Sequence, residues 1–244
     1  MGLMALGGYG NRVEGVHAVT SALAAGRVEK LFVERRAKDR LGVVLAAIDP
    51  GRIEVVDDVR SMAETDAPQG VVAHCSPIQP VTLDELAGPA AALLVFDHVE
   101  DPHNVGAAAR SARAAGMSGM VVSARRAAPL SAVAFKAAAG ALETMPVSIV
   151  NSIPEALNRL RSSDVWVVGL DVEGEQSLFG LGVLTEPVAV VVGAEGSGLA
   201  ELTKKRCDVL ASIPMSGDTE SLNASVSAAL AAFEIMRVRS EVLG

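Results

Sequence analysis

Two kinds of apolar run alternate along the chain, and their periods set the expected elements. Residues 16–25 carry apolar side chains at helical spacing and stop at Gly26. Residues 30–34 (KLFVE) form a short β-prone run; residues 41–48 are helical again, and Asp49-Pro50-Gly51 ends them. Residues 52–56 alternate as a strand does, and residues 70–73 predict another. Together these make a small α/β unit. Pro77, Pro80, Gly88 and Pro89 then fall in a stretch poor in β-branched residues. The boundary is placed there, giving a first unit over 1–78, a linker over 79–91 and a second unit over 92–244.

From Leu93 the pattern changes. Residues 93–96 are continuously apolar and end at Asp97, and a helix is expected from Val105 to Ala115, closed by Gly116. Strand-like runs recur at 119–123, 147–150, 165–170 and 188–192, with helical stretches between most of them. Near-continuous apolar strands alternating with helices predict a mostly parallel sheet covered on both faces. The Ala-rich stretch 221–238 predicts a closing helix.

Composition narrows the class. The 244 residues are 50% hydrophobic but only 3% aromatic, so a sizeable core must be built from Ala, Val, Leu and Ile. The longest apolar runs are as short as 188–192, so no membrane span is expected. The opening MGLMALGGYGNR has no basic segment of the signal-peptide kind. Cys75 and Cys207 stand alone without metal-ligand spacing, which predicts buried or reduced thiols, no metal and a cytoplasmic setting.

The net charge of −8 argues against a nucleic-acid partner, because phosphates call for positive charge. The distribution softens this. Residues 1–78 hold nine Lys/Arg against ten Asp/Glu, and the rest hold twelve against nineteen. Arg35, Arg36, Lys38 and Arg40 form a local basic cluster, readable as a solvated helix start or as an RNA contact. A claim of RNA binding must therefore rest on motifs.

Three motifs carry candidate chemistry. In FDHVEDPHNVGAAARSARAAG (96–116), an acidic residue ends a strand and a turn with Pro102 and Asn104 leads through Gly106 into a helix bearing Arg110 on its first turns. Parallel α/β sheets bind ligands at such strand ends, although Asn104 as a helix cap and Arg110 as a surface charge would fit equally. VVVGAEGSGL (190–199) sets Glu195 between glycines after a buried strand. Its spacing of Gly193, Gly196 and Gly198 is not that of a dinucleotide fingerprint, and a tight turn is the plain alternative. In SIPMSGDTESLNASVSAAL (212–230), a strand end at Ile213-Pro214-Met215 runs through a polar loop to Ser221-Leu222-Asn223, where Ser221 could be an N-cap.

In this order and spacing the three motifs resemble the SpoU (TrmH) family of RNA ribose 2′-O-methyltransferases. VEGVHAVTSAL and QGVVA in the first unit resemble the family's small N-terminal RNA-binding domain. The wording DPHNVG, GAEGSG and SIPMSG–SLN is most similar to the subgroup that modifies a guanosine of 23S ribosomal RNA, except that Ala67-Pro68 precedes Gln69-Gly70 where that subgroup more usually has His.

The resemblance implies an α/β, SPOUT-type catalytic domain with a C-terminal trefoil knot, preceded by a small α/β RNA-binding domain. It implies S-adenosyl-L-methionine as methyl donor and S-adenosyl-L-homocysteine as product. The cofactor would be held at Gly193, Ile213 and Leu222, with Gly196 and Met215 beside them. Arg110 becomes the key catalytic residue, supported by Asn104, Glu195, Ser221 and Asn223. Arg110 is either a general base or, more easily for a guanidinium, a phosphate clamp. His103 is read as a substrate or structural residue. The partners implied are structured RNA, with 23S rRNA as the expected one, and a second copy of the chain, with the closing helix and its Ala face (Ala224, Ala228, Ala231, Ala232) at the interface, although that face suits a core helix too. Two other readings stay open: methylation of transfer RNA or of another ribosomal nucleotide, as in the antibiotic-resistance branch, and a non-catalytic ribosome-assembly factor. Retention of all five polar motif residues argues against the last.

Overall fold

Two sheets organise the chain in the computed structural model, which describes residues 8–125, 127, 129–216 and 221–243. The first has four strands, β1 (Arg12–Glu14), β2 (Val28–Glu34), β3 (Ile53–Val56) and β4 (Val71–Cys75), in the order β1-β4-β2-β3. Only β2 and β3 run parallel. Helix α1 (Val16–Ala24) buries Ala18, Val19 and Ala22, the apolar face its spacing predicts. Its first N–H has no local cap and is taken instead by Gln69 Oε1 at 2.9 Å. The helix expected over 41–48 is shorter: a 3₁₀ turn at Asp39–Leu41 leads into α2 (Gly42–Ala46), and Asp49 caps the next turn through Gly51 N. The Pro-rich segment is not structureless. It holds α3 (Leu83–Leu86), set by a capping box between Thr82 and Glu85.

The second sheet has seven strands: β5 (Ala92–Asp97), β6 (Gly119–Ser123), β7 (Val147–Val150), β8 (Trp166–Leu170), β9 (Gln176–Ser177), β10 (Val188–Gly193) and β11 (Val209–Ser212). The order is β7-β6-β5-β10-β8-β11-β9, and every pairing is parallel. Its helices are α4 (Pro102–Ala114), α5 (Ala132–Ala138), α6 (Ile153–Arg161), α7 (Glu201–Lys204) and α8 (Ala224–Leu243). Alternation along the strands feeds two layers. Leu93, Val95, Val121, Val167 and Val191 pack under α6 through Ile153, Leu157 and Leu160. Leu94, Phe96, Met120, Val190 and Val192 face the opposite way, toward α4 and α8. Among the described residues no helix is long and apolar enough to cross a membrane.

That second layer continues without a break into the first unit, where Tyr9, Val13, Leu31 and Val71 join Phe135 and Ala138 in one cluster. The junction also carries charge. Arg27 donates Nε and Nη2 to Glu143 at 2.7 Å each, its guanidinium lies 5.7 Å from the Phe135 ring centre, and it donates to the Gly10 and Ser76 carbonyls. Burial pushes the nearby Cys75 thiol up to about 11 and the Tyr9 hydroxyl up to about 12.

The closing helix corrects one expectation. Ala228, Ala231 and Ala232 are fully buried and Ala224 nearly so, because this face packs on the chain's own core. The face left outward carries Val226, Phe233 and Met236, each more than 40% exposed.

Candidate active site at the ends of the central strands

A cavity of about 480 Å³ opens where β8, β10 and β11 end. Its walls are residues 170–173, 192–198, 213 and 215, and the approach to α8 at Ser221, Leu222, Ala224 and Ser227. Gly193, Gly196, Ile213, Met215 and Leu222, the five candidates for ligand contact, all line it, as do Glu195 and Ser221. Carboxyl ends of parallel strands gather the loops that feed such a crevice. Residues 217–220, the middle of the third motif, lie outside the described residues.

The sequence reading missed the wall after β8. The Asp171 side chain is almost fully buried there and accepts from Lys204 Nζ at 2.7 Å and from Glu173 N at 2.9 Å. Burial opposes its ionisation, yet the Lys204 ammonium and the Glu173 N–H outweigh that and hold the carboxyl below its ordinary value. The signal was available: Leu170-Asp171 is an apolar run ending on an acid, like Phe96-Asp97.

The glycine loop is built by its backbone. Ala194 and Gly198 exchange N–H···O bonds at 3.1 and 2.9 Å, closing a five-residue turn. Gly196 and Gly198 sit at φ 77° and 65°, a region other residues enter at a cost. Gly193 does not; a Cβ there would stand 2.5 Å from Leu199 N and closer still to the Gly198 carbonyl. Its glycine is required by loop packing.

Glu195, at the tip of this turn, collects two amides from distant motifs. Asn104 Nδ2 donates to Glu195 Oε1 at 2.8 Å, and Asn223 Nδ2 donates both to Glu195 Oε1 and to Asn104 Oδ1, the latter at 3.0 Å. Three candidates thus form one network at the cavity rim. Asp97, fully buried, ties the same loop from below: it accepts from Ala200 N at 2.9 Å and lies 2.7 Å from His98 Nδ1. Among the described residues no group of His, Cys, Asp and Glu could hold a metal ion.

Three local readings are corrected. Asp101, not Asn104, caps α4 by accepting from His103 N at 2.8 Å, so the helix begins three residues early with Pro102 at its first position. Asn104 is therefore helical, and only 7% exposed. Asn223, not Ser221, caps α8, accepting from Ser225 N at 2.9 Å. Arg110 falls well inside α4 and not on its first turns; it is exposed and does not line the cavity. Gly106 has its own reason: a Cβ there would run into the Ala134 carbonyl and approach Ala137 Cβ to 2.8 Å, so it lets α5 lie against α4. His103 is exposed beside the cap.

The SpoU rRNA Methylase family model matches residues 91–233, a span holding the cavity and the whole network. The chain belongs to the SpoU rRNA methylase family. A second model, RNA 2′-O ribose methyltransferase substrate binding, matches residues 12–81. SpoU relatives span both units. The protein named 23S rRNA (guanosine-2′-O-)-methyltransferase RlmB from Ralstonia nicotianae is 38% identical, the match covering 93% of this chain and 96% of the relative. The one of that name from Pseudomonas aeruginosa is 39% identical over 94% and 97%. Among solved SpoU structures, the methyltransferase AviRb from Streptomyces viridochromogenes, in complex with AdoMet, is similar with a TM-score of 0.80 at 26% identity, covering 94% of this chain and 90% of that one. A structure titled RNA 2′-O ribose methyltransferase gives 0.81 at 28% identity, covering 94% and 88%.

Proposed function

We propose that the protein is an S-adenosylmethionine-dependent enzyme that methylates the ribose 2′-hydroxyl of a guanosine in 23S ribosomal RNA. The observation that carries this is the Asn104–Glu195–Asn223 network closing the rim of a cavity of about 480 Å³, within the range of small-molecule sites. Relatives named as 23S rRNA guanosine methyltransferases cover both units, which favours ribosomal over transfer RNA.

The donor fits the residues present. Leu170, Val192, Ile213 and Leu222 offer apolar walls, backbone groups at 193, 213 and 222 are within reach, and Asp171, Glu173 and Glu195 suit a cationic ligand. When bound, S-adenosylmethionine supplies an electrophilic methyl group and leaves as S-adenosylhomocysteine. The chain's own part is positioning. Glu195 holds the two amides in one orientation, so that Asn104, Asn223 and Ser221 present a preformed polar edge to the ribose. Arg110, whose planar guanidinium fork matches phosphate oxygens, serves as a clamp on the substrate phosphate.

Arg110 stands outside its own chain's cavity, and this supports a homodimer in which each α4 faces the partner. The outward apolar face of α8 borders a hollow of about 360 Å³ lined by Ala107, Ser111, Val226, Leu230 and Phe233, a surface suited to a second copy. β10 inserted between β5 and β8, with the third motif returning to the same strand ends, supports a trefoil knot in the C-terminal segment. The first unit, over 1–78, is the substrate-binding domain on this reading, joined by 79–91 to the catalytic domain over 92–244, and an enzyme of ribosomal RNA works in the cytoplasm. Mapping 2′-O-methyl groups on 23S rRNA from cells lacking the protein tests the proposal. One guanosine should lose its methyl group and regain it with the wild-type gene; an unchanged map overturns it.

A further inference from the structure

A protein of net charge −8 needs a particular place to meet a polyanion. One hollow of about 400 Å³ on the first unit has the right character. It is lined by Glu34, Arg36, Arg40, Arg60, Asp66 and the turn of residues 67–70. Glu34 ends β2 almost fully buried, and it takes Arg36 Nε and Nη2 at 2.8 and 3.2 Å, so those two charges cancel. Arg40 and Arg60 are exposed, and neither has a carboxylate at ion-pair distance among the described residues. Arg40 is aimed by donating Nη2 to the Gln69 carbonyl at 2.8 Å. The floor is tight: Gln69 and Gly70 are both left-handed, at φ 58° and 74°, and a Cβ on Gly70 would meet Ala37 Cβ at 2.6 Å.

The rim is also tied to the catalytic unit. Lys136 Nζ on α5 donates to the Ala67 carbonyl at 2.5 Å, and Glu64 Oε2 accepts from Ala132 N at 3.2 Å. With the Arg27–Glu143 pair, these contacts hold the hollow at a set distance from the cavity.

We infer that this hollow is an RNA-backbone site, in which Arg40 and Arg60 take phosphodiester oxygens of the strand whose ribose enters the catalytic cavity. The inference rests on the function proposed above. Asp66 is the carboxylate at the rim without a cationic partner among the described residues, so it opposes such a ligand. That gives the idea a gain-of-affinity arm as well as a loss.

Full-length protein is titrated with in-vitro-transcribed 23S rRNA at several KCl concentrations. Losing two phosphate contacts should weaken binding about 25-fold at 0.1 M salt and lower the salt slope by about 1.4, using roughly 0.7 per contact on single strands. Arg40→Ala with Arg60→Ala should show both changes. Arg60→Ala alone should show half the slope change with an unaltered melting temperature, which separates charge from any loosening of the Gln69 turn. Asp66→Asn should bind about two- to fivefold tighter. S-adenosylmethionine titrations should match wild type throughout. Wild-type affinity and slope for Arg60→Ala, or no gain for Asp66→Asn, overturns the site; a hollow that instead docks a ribosomal protein gives that result on naked RNA. If wild-type protein leaves 23S rRNA unmethylated, the proposed function fails independently of the hollow.

Discussion

Replacing Gly193 by Ala tests how the glycine loop is built. The added Cβ would stand 2.5 Å from Leu199 N, and nearer to the Gly198 carbonyl, where ordinary contact needs 3.4–4.0 Å. The turn must therefore retreat by an ångström or more. That breaks the two bonds between Ala194 and Gly198, each worth about 0.5–1.5 kcal/mol, and overpacking adds about 1–3 kcal/mol. A total of roughly 2–6 kcal/mol follows, or a melting temperature lower by roughly 4–24 °C if the loop stays closed. If it swings out instead, stability falls less and Glu195 leaves Asn104 and Asn223. Either way, affinity for S-adenosylmethionine should fall by at least about tenfold, read by calorimetric titration beside a thermal melt. Gly196→Ala is the contrast: nothing lies near its Cβ, but φ of 77° costs about 1–2 kcal/mol. Wild-type melting and affinity for Gly193→Ala would refute the argument. Lost affinity with unchanged melting and an intact network would move the cause to direct contact with the ligand.

Arg27→Ala strands the buried Glu143 carboxylate and should cost about 3–5 kcal/mol, visible as an early thermal transition; a melt within 1 °C of wild type would deny the junction its role. Arg110→Ala removes an exposed side chain, so melting and S-adenosylmethionine affinity should hold within about 0.5 kcal/mol while methyl transfer to RNA is lost; retained turnover would remove Arg110 from the reaction. Cys75, Cys207 and Tyr9 titrate higher folded than unfolded, because burial favours their neutral forms, up to about 11, 12 and 12. Stability should therefore be full below about pH 9 and fall as pH rises through 11–12, in urea melts taken at pH 8, 10 and 11. A flat profile would contradict this.

Much of the fold was legible because burial writes a plain pattern. β6 and β7 fall at their expected residues, and β5, β8 and β10 within one residue, since strands buried on both faces are continuously apolar. What stayed hidden was decided by partners far along the chain or by side-chain capping. β9 has two residues, both exposed, and exists only by pairing with β11. The start of α4 was misplaced because Asp101 and Pro102 open a helix three residues before its apolar period begins. For the site, motif wording found Asn104, Glu195 and Asn223, but no spacing rule reveals that their amides share one carboxylate oxygen. Arg110 is legible as a motif residue and not as a neighbour of the cavity.

The network has a mechanical consequence that no single motif carries. β5 and β10 lie in parallel register, with Gly193 beside Asp97, so the loops leaving both strands start level. Asp97 grips the far end of the glycine loop at Ala200, and Asn104 grips its tip at Glu195. That loop is also a wall of the cavity proposed for the donor, and Asn223, the third member, is the cap of α8, whose outward face is the surface proposed for the second copy. One short turn therefore lines the proposed donor site and, through Glu195, is hydrogen-bonded to Asn104 and to Asn223, the cap of the helix proposed to carry the dimer face. A ligand that orders this turn reduces the conformational entropy left to lose when a second one binds, so donor and RNA should favour each other's binding by equal factors. The glycines make this possible. Gly196 and Gly198 let the turn be tight enough for its tip to reach two amides from elements more than a hundred residues apart, and Gly193 lets it fold flat against the strand that aims it.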